Sequence, residues 1–257
     1  MGEVLECIRD NNIIIATMRR PEAMNALSTP LCEALDALAA ECDADDGLRC
    51  LILTAEGRSF CAGADLKERA RLDEEARWRY VENLNRTIRR LEEIPIPVIA
   101  AVNGFALGGG LEVALACDLR LAAASARFGL PEARWGIMAG GSLVRVLRDL
   151  RPGVAAMLAY SAERFTADQA RQWGLIDNVL PDDRLIAGAA ELASQIAKNA
   201  PLGLRAAKQL QRGLQRRYTE EGMVLAEEFR RPLDYTEDCL EGLRAFAEKR
   251  EPDFKGR

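Results

Sequence analysis

The segment Pro97-Val-Ile-Ala-Ala-Val-Asn-Gly-Phe-Ala-Leu-Gly-Gly-Gly-Leu-Glu112 constrains this chain more than any other. Val98–Val102 is an unbroken apolar run that reads as a buried strand. Asn103–Gly110 reads as a glycine-rich turn leading into a helix that begins near Gly109. Such a turn presents backbone N–H groups at the positive end of a helix, and its glycines let a ligand approach the main chain, so an anion or a developing oxyanion can be held there. A dinucleotide fingerprint does not fit, because counting from Gly108 places Val113 where Gly or Ala is required. A nucleotide P-loop needs Gly-Lys-Ser/Thr, which never occurs. A close-packed turn without a ligand stays open on this segment alone.

The rest of the chain supplies an α/β setting. With 257 residues, 49% of them hydrophobic, it can bury one large domain, or one domain with an appendage. Val4–Ile8 and Ile13–Thr17 read as a hairpin about the turn formers Asp10-Asn11-Asn12. After a loop, Arg19–Leu27, Thr29 is expected to cap a helix with Pro30 at its first position and Leu31, Leu35, Leu38 and Cys42 on one face. Cys50–Thr54 is a short strand, and the small-residue stretch Glu56–Asp65 is expected to be loop. Ala76, Tyr80, Leu84, Ile88 and Leu91 mark a long amphipathic helix that Pro95 and Pro97 stop. Leu119–Ala123 and Leu175–Leu180 read as strands. Thr166-x-x-Gln169 is a capping box for a short helix ending at Gly174, and from Arg184 the pattern is helical.

Composition narrows the chemistry. The chain has no histidine, which removes Ser-His-Asp and Cys-His catalysis, and its seven cysteines contain no CxxC pair, so no metal site is expected and no cofactor. The odd, dispersed cysteines read as reduced thiols of a cytoplasmic protein. Met1–Asp10 carries Glu3, Glu6, Arg9 and Asp10 and does not read as a secretory signal. No apolar run approaches the roughly 18 residues of a membrane span. A net charge of −5 offers no general attraction to nucleic acid. Arg86–Arg90 and Arg212–Arg217 are candidate basic patches for a phosphorylated ligand, with a solvated helix face as the plain alternative.

Phe60-Cys-Ala-Gly-Ala-Asp-Leu-Lys67 and Phe128-Gly-Leu-Pro-Glu132 flank the glycine turn, and the three motifs together resemble the crotonase (enoyl-CoA hydratase/isomerase) superfamily. The resemblance runs from Arg20-Pro-Glu-Ala-Met-Asn-Ala-Leu27 to Phe246-Ala-Glu-Lys-Arg250. It implies a crotonase fold, a spiral of ββα units over residues 1–195 holding the CoA and active sites, then a helical oligomerisation region over 196–257. It also implies that the N–H groups of Ala64 and Gly109 form an oxyanion hole for the thioester carbonyl, and that Glu112 and Glu132 are the catalytic carboxylates that add water across the double bond of a 2-enoyl-CoA, as in fatty acid metabolism. Around the CoA it places Ala23, Met24, Ala62, Asp65, Leu66 and Lys67, with Phe246 and Lys249 reaching a neighbouring subunit's site in a homotrimer or dimer of trimers.

One departure stands out. After Trp135-Gly136 many hydratases continue with Pro-Gly and a further glycine pair, whereas this chain reads Ile137-Met-Ala-Gly-Gly-Ser142, a loop that borders the acyl pocket. Isomerisation, a hydratase-lyase step and an RNA-binding role, each known among similar proteins, stay open beside hydration.

Overall fold

The structure, a computed structural model, describes residues 4–257; the first three residues of the 1–195 span, Glu3 of the N-terminal reading among them, lie outside it. Among the described residues ten strands form two sheets. The larger contains β1 (Leu5–Asp10), β2 (Ile13–Met18), β3 (Cys50–Ala55), β5 (Val98–Val102), β7 (Leu119–Ala123) and β10 (Asn178–Leu180), hydrogen-bonded in that order. The smaller contains β4 (Ser59–Cys61), β6 (Phe105–Leu107), β8 (Arg127–Gly129) and β9 (Phe165–Thr166), also in that order. The helices are α1 (Thr29–Ala44), α2 (Leu66–Arg69), α3 (Glu74–Glu93), α4 (Gly109–Ala116), α5 (Gly140–Asp149), α6 (Pro152–Ser161), α7 (Ala167–Gln172), α8 (Leu185–Ala197), α9 (Pro201–Arg230) and α10 (Glu237–Glu248).

Three times in succession the chain lays a strand in the large sheet, then one in the small sheet, then a helix: β3-β4 before α2 and α3, β5-β6 before α4, and β7-β8 before α5. Parallel pairing follows from this repeat, because each return to the same sheet is a crossover. β3 and β5 are buried along their whole length, as strands covered on both faces must be, and so are uniformly apolar.

The expected hairpin forms, with β1 reaching Asp10 and the turn confined to Asn11-Asn12, where Asn11 takes φ 54°. The helix after it is capped by Ser28, not Thr29: Ser28 is extended and its hydroxyl accepts from the Leu31 N–H, while the Thr29 hydroxyl donates to Glu68. The stretch 56–65 is not all loop. Ser59–Cys61 pairs with Phe105–Leu107 and buries Phe60 completely, a tertiary pairing that overrides the weak strand propensity of small residues. For the same reason the turn after β5 is shorter than Asn103–Gly110, since β6 occupies its middle. The last strand is limited to Asn178–Leu180, and the capping box at Thr166 and Gln169 forms as expected.

Candidate active site

Every crossover from the small sheet delivers its next residues to one end of the molecule, and three of these junctions meet there. β4 runs out into Ala62-Gly63-Ala64, β6 into Gly108-Gly109, and β8 into the 3₁₀ turn Pro131–Trp135. Leu27 N–H donates to the Gly63 carbonyl (2.8 Å) and Ala62 N–H to the Met24 carbonyl (3.1 Å), so the 20–27 motif is sewn to the 60–67 motif. Buried Asn25 completes the seam, accepting from Arg20 N–H (2.7 Å) and donating to the carbonyls of Glu56 (2.9 Å) and Ser59 (2.7 Å). Tyr80, on the buried face of α3, donates to the Leu27 carbonyl and accepts from Asp65 N–H (2.8 Å), clamping the loop that carries Ala64.

The two amides expected to face a ligand come together. A methyl placed on Gly109 would lie 3.7 Å from the Ala64 nitrogen, and one placed on Gly63 would lie 3.2 Å from the Gly109 nitrogen. Among the described residues neither Ala64 N–H nor Gly109 N–H donates to a backbone carbonyl, and Gly109 opens α4, where the first N–H groups lack intrahelical partners. Both residues border a cavity of about 100 Å³ together with Leu27, Leu66, Glu112, Glu132, Trp135 and Ser142.

Glu112 sits in the first turn of α4 and is buried. Arg145 Nη1 donates to its Oε1 (2.6 Å) and the Ser142 hydroxyl to its Oε2 (3.2 Å). Arg145 is anchored in turn by Glu92 (2.8 Å), which Arg148 (2.6 Å) and Arg212 (3.0 Å) also reach. Burial works against the charge of Glu92, and Arg145, Arg212 and Arg148 together outweigh it, holding Glu92 below the usual carboxylate range. Burial likewise pushes Glu112 up, with Arg145 and Ser142 opposing.

Glu132 has no such support. Its Oε2 is buried without a hydrogen-bond partner, and burial pushes its pKa up to about 7, with Arg230 opposing and the charge of Glu112 adding to the rise. Its Oε1 would lie 2.8 Å from any Cβ on Gly108, whose φ of +54° and ψ of −124° also suit glycine.

The expected CoA residues divide into two groups. Ala62 and Leu66 line the cavity, whereas Ala23, Met24 and exposed Lys67 lie outside it along the seam with the 20–27 motif. Asp65 is occupied, capping α2 and pairing with Arg20 (3.1 Å). Phe246 packs edge-on against Trp135 of its own chain, with ring centroids 5.1 Å apart, and Lys249 is exposed at the end of α10. The basic stretches belong elsewhere. Arg212 joins the Glu92 network, and Arg216 and Arg217 pair with Glu220 and Glu221 on the same helix.

Arg145, Arg69 and Arg230 escaped the sequence reading. Their only signal was arginine at positions of helical apolar periodicity, and Arg69, fully buried, pairs with Asp234.

The comparisons agree with this geometry. The family model described as enoyl-CoA hydratase/isomerase matches residues 9–257. The chain is 40% identical to a putative enoyl-CoA hydratase/isomerase of Bacillus subtilis, covering 100% of both chains, and 41% identical to the 2,3-dehydroadipyl-CoA hydratase of Escherichia coli, covering 97% of each. Among solved structures, a carnitinyl-CoA dehydratase from Mycobacterium avium superposes with a TM-score of 0.86 at 38% identity over 100% of both chains. An enoyl-CoA hydratase from Bacillus anthracis superposes with a TM-score of 0.80 at 38% identity, covering 99% of this chain and 100% of that one.

Proposed function

The chain belongs to the enoyl-CoA hydratase/isomerase family and has the crotonase fold, and from that premise we propose how it carries out the reversible hydration of a 2-enoyl-CoA thioester to a 3-hydroxyacyl-CoA. One observation supports the division of roles: two glutamates in unlike environments border a single cavity with two unspent backbone amides. The thioester carbonyl accepts from Ala64 and Gly109 N–H, and adding a nucleophile at Cβ moves negative charge onto that oxygen. Fixed donors stabilise the resulting enolate without reorganising, and losing one such donor costs on the order of 10²–10³ in rate.

Glu112, facing Arg145, is the carboxylate that takes a proton from water as the hydroxide bonds to Cβ. Glu132, whose ionised form burial disfavours, delivers in its protonated form a proton to Cα as the enolate collapses. One water is consumed, and proton transfer from Glu112 back to Glu132 resets the site. Nothing in this sequence of steps draws on a metal or redox cofactor, so chelation should leave turnover unchanged, and loss of activity restored by added metal would contradict it.

Backbone around Ala23-Met24 and Ala62–Leu66 holds the adenine end, with Asp65 shaping that loop and Lys67 nearby. Exposed Leu210, Leu214, Tyr218, Leu225 and Phe229 recur at helical spacing on α9 and support association through the tail as a trimer or dimer of trimers. In such an assembly Lys249, exposed at its helix end, is free to meet a CoA phosphate of a neighbouring subunit, while Phe246 is held by Trp135. Light scattering at micromolar concentration tests the assembly, and a monomer mass would sink it. Among the described residues no helix is long and apolar enough to cross a membrane. Cys32, Cys42, Cys50, Cys61, Cys117 and Cys239 are buried free thiols, which supports a reducing, cytoplasmic setting.

The deciding experiment follows loss of the conjugated-enone absorbance with a panel of enoyl-CoA thioesters. Turnover of none of them would refute the reading.

A further inference from the structure

Arg230, the last residue of α9, borders the same cavity as Glu112 and Glu132. Its Nε is buried without a hydrogen-bond partner, and no described acid forms an ion pair with it. The charges around it are Arg69, Asp234, Glu112 and Glu132. Arg69 and Asp234 are already paired with each other, and Glu112 is paired with Arg145. Arg69 also lines the cavity, and its own Nε and Nη1 are buried without partners.

Asp234 and Glu132 lie near Arg230 without forming an ion pair with it, so the cavity wall carries a buried guanidinium that no side chain engages and several unspent N–H donors. An unpaired buried cation is costly unless a ligand answers it. The approach is built in: a Cβ on Gly140 would lie 3.2 Å from Arg230 Cδ and 3.8 Å from its Nη1, so the arginine passes against bare backbone.

We propose that Arg230, with Arg69 beside it, recognises an anionic group at the far end of the acyl chain, so that the preferred substrate is a short 2-enoyl-CoA whose acyl portion ends in a carboxylate. The planar fork of a guanidinium matches a carboxylate in two parallel hydrogen bonds. The anion belongs to the acyl end, because Arg230 shares its cavity with the carboxylates that act on Cα and Cβ, while Ala23, Met24 and Lys67 lie outside it. The chain is short because Arg230 and Arg69 line the same small cavity, about 100 Å³, as Glu112 and Glu132. The assignment rests on the hydratase reading.

The test compares kcat/KM for two thioesters of equal acyl length, one ending in a carboxylate and one in a methyl group, with the purified wild-type protein and with Arg230→Gln and Arg230→Lys. Wild type should favour the carboxylate by about 10- to 100-fold, the range for hydrogen bonds to charged groups. Arg230→Gln should bring that ratio close to one, and Arg230→Lys should keep part of it. Taking a ratio cancels any effect of the substitution on folding or on Glu132. Equal use of both thioesters by wild type would overturn the assignment. So would a carboxylate-to-methyl ratio left unchanged in Arg230→Gln, which would show that Arg230 does not read the end of the acyl chain. Hydration of neither thioester by wild type would instead overturn the hydratase reading itself.

Discussion

Arg145 Nη1 stands 2.6 Å from Glu112 Oε1, while Glu132, across the same cavity, has a buried oxygen with no partner. Sequence motifs present the two glutamates as equals, but their surroundings differ. Glu112 is held by Arg145 and Ser142, while Glu132 has no ion-pair partner, which in the proposed mechanism suits the first to act as base and the second as acid. In the proposed mechanism Arg145 is a positioning residue, acting on the water only through the carboxylate it holds.

Replacing Arg145 should move the acid limb of the kcat/KM–pH profile upward. Without the guanidinium, burial alone acts on Glu112, its pKa rises further, and a higher pH is needed to ionise it. Arg145→Gln should show the full displacement, and Arg145→Lys should recover part of it. Breaking one side of a buried pair also costs about 3–5 kcal/mol of stability, so the urea midpoint should fall. A lower midpoint with an unmoved pH profile would make Arg145 merely structural.

Glu112→Gln and Glu132→Gln should each cut turnover by roughly 10²–10⁴ with little change in substrate affinity, since the amides and the CoA surface still hold the thioester. The double variant should be scarcely worse than the poorer single one, because the two act on one water. If Glu112→Gln kept nearly full activity while Glu132→Gln abolished it, one acid-base group would suffice, and double-bond isomerisation would replace hydration.

Glu132 should also leave a mark on stability. Its folded pKa, about 7, lies above its ordinary 4.5, so between these values the folded state binds more protons than the unfolded one. Stability from this group is fully present below about 4.5 and is lost as pH rises through about 7, amounting to roughly 3 kcal/mol. Urea unfolding across that window should show Glu132→Gln gaining on wild type as pH increases. Parallel curves for the two proteins would contradict this.

The α/β body and the three motifs of the site were legible in the sequence because each rests on local pattern: the apolar run of β5, the heptad-like face of α3, and glycines where backbone must turn or approach. What was hidden depends on partners distant in the chain. β4 and β6 are only three residues each and exist because they pair with one another. α5 and α6 were unread because Gly140, Gly141 and Pro152 look like loop residues until packing explains them. Arg145 meets Glu112 across 33 residues and Glu92 across 53, separations at which one sequence offers no register between side chains.

Gly141 gives the most direct test of the site's geometry. A Cβ there would fall 2.0 Å from Glu112 Oε1 and 2.7 Å from its Cδ, so Gly141→Ala cannot be accommodated with the carboxylate in place. The side chain could swing aside, but Arg145 and Ser142 hold it from two directions. The contest should end with a displaced carboxylate and a folded protein, because the clash is with the end of a side chain and not with backbone. Misplacing a reacting group by about 1 Å costs on the order of 10² in rate, so kcat should drop at least that far while overpacking removes about 1–3 kcal/mol of stability. Gly213→Ala is the matched control. It lies inside α9 with nothing within 4 Å of the added methyl, and it should stabilise the helix by about 0.5–1 kcal/mol. If Gly141→Ala turned over substrate as fast as Gly213→Ala, the rate would not depend on where Arg145 and Ser142 hold Glu112, and its assignment as the base would fail.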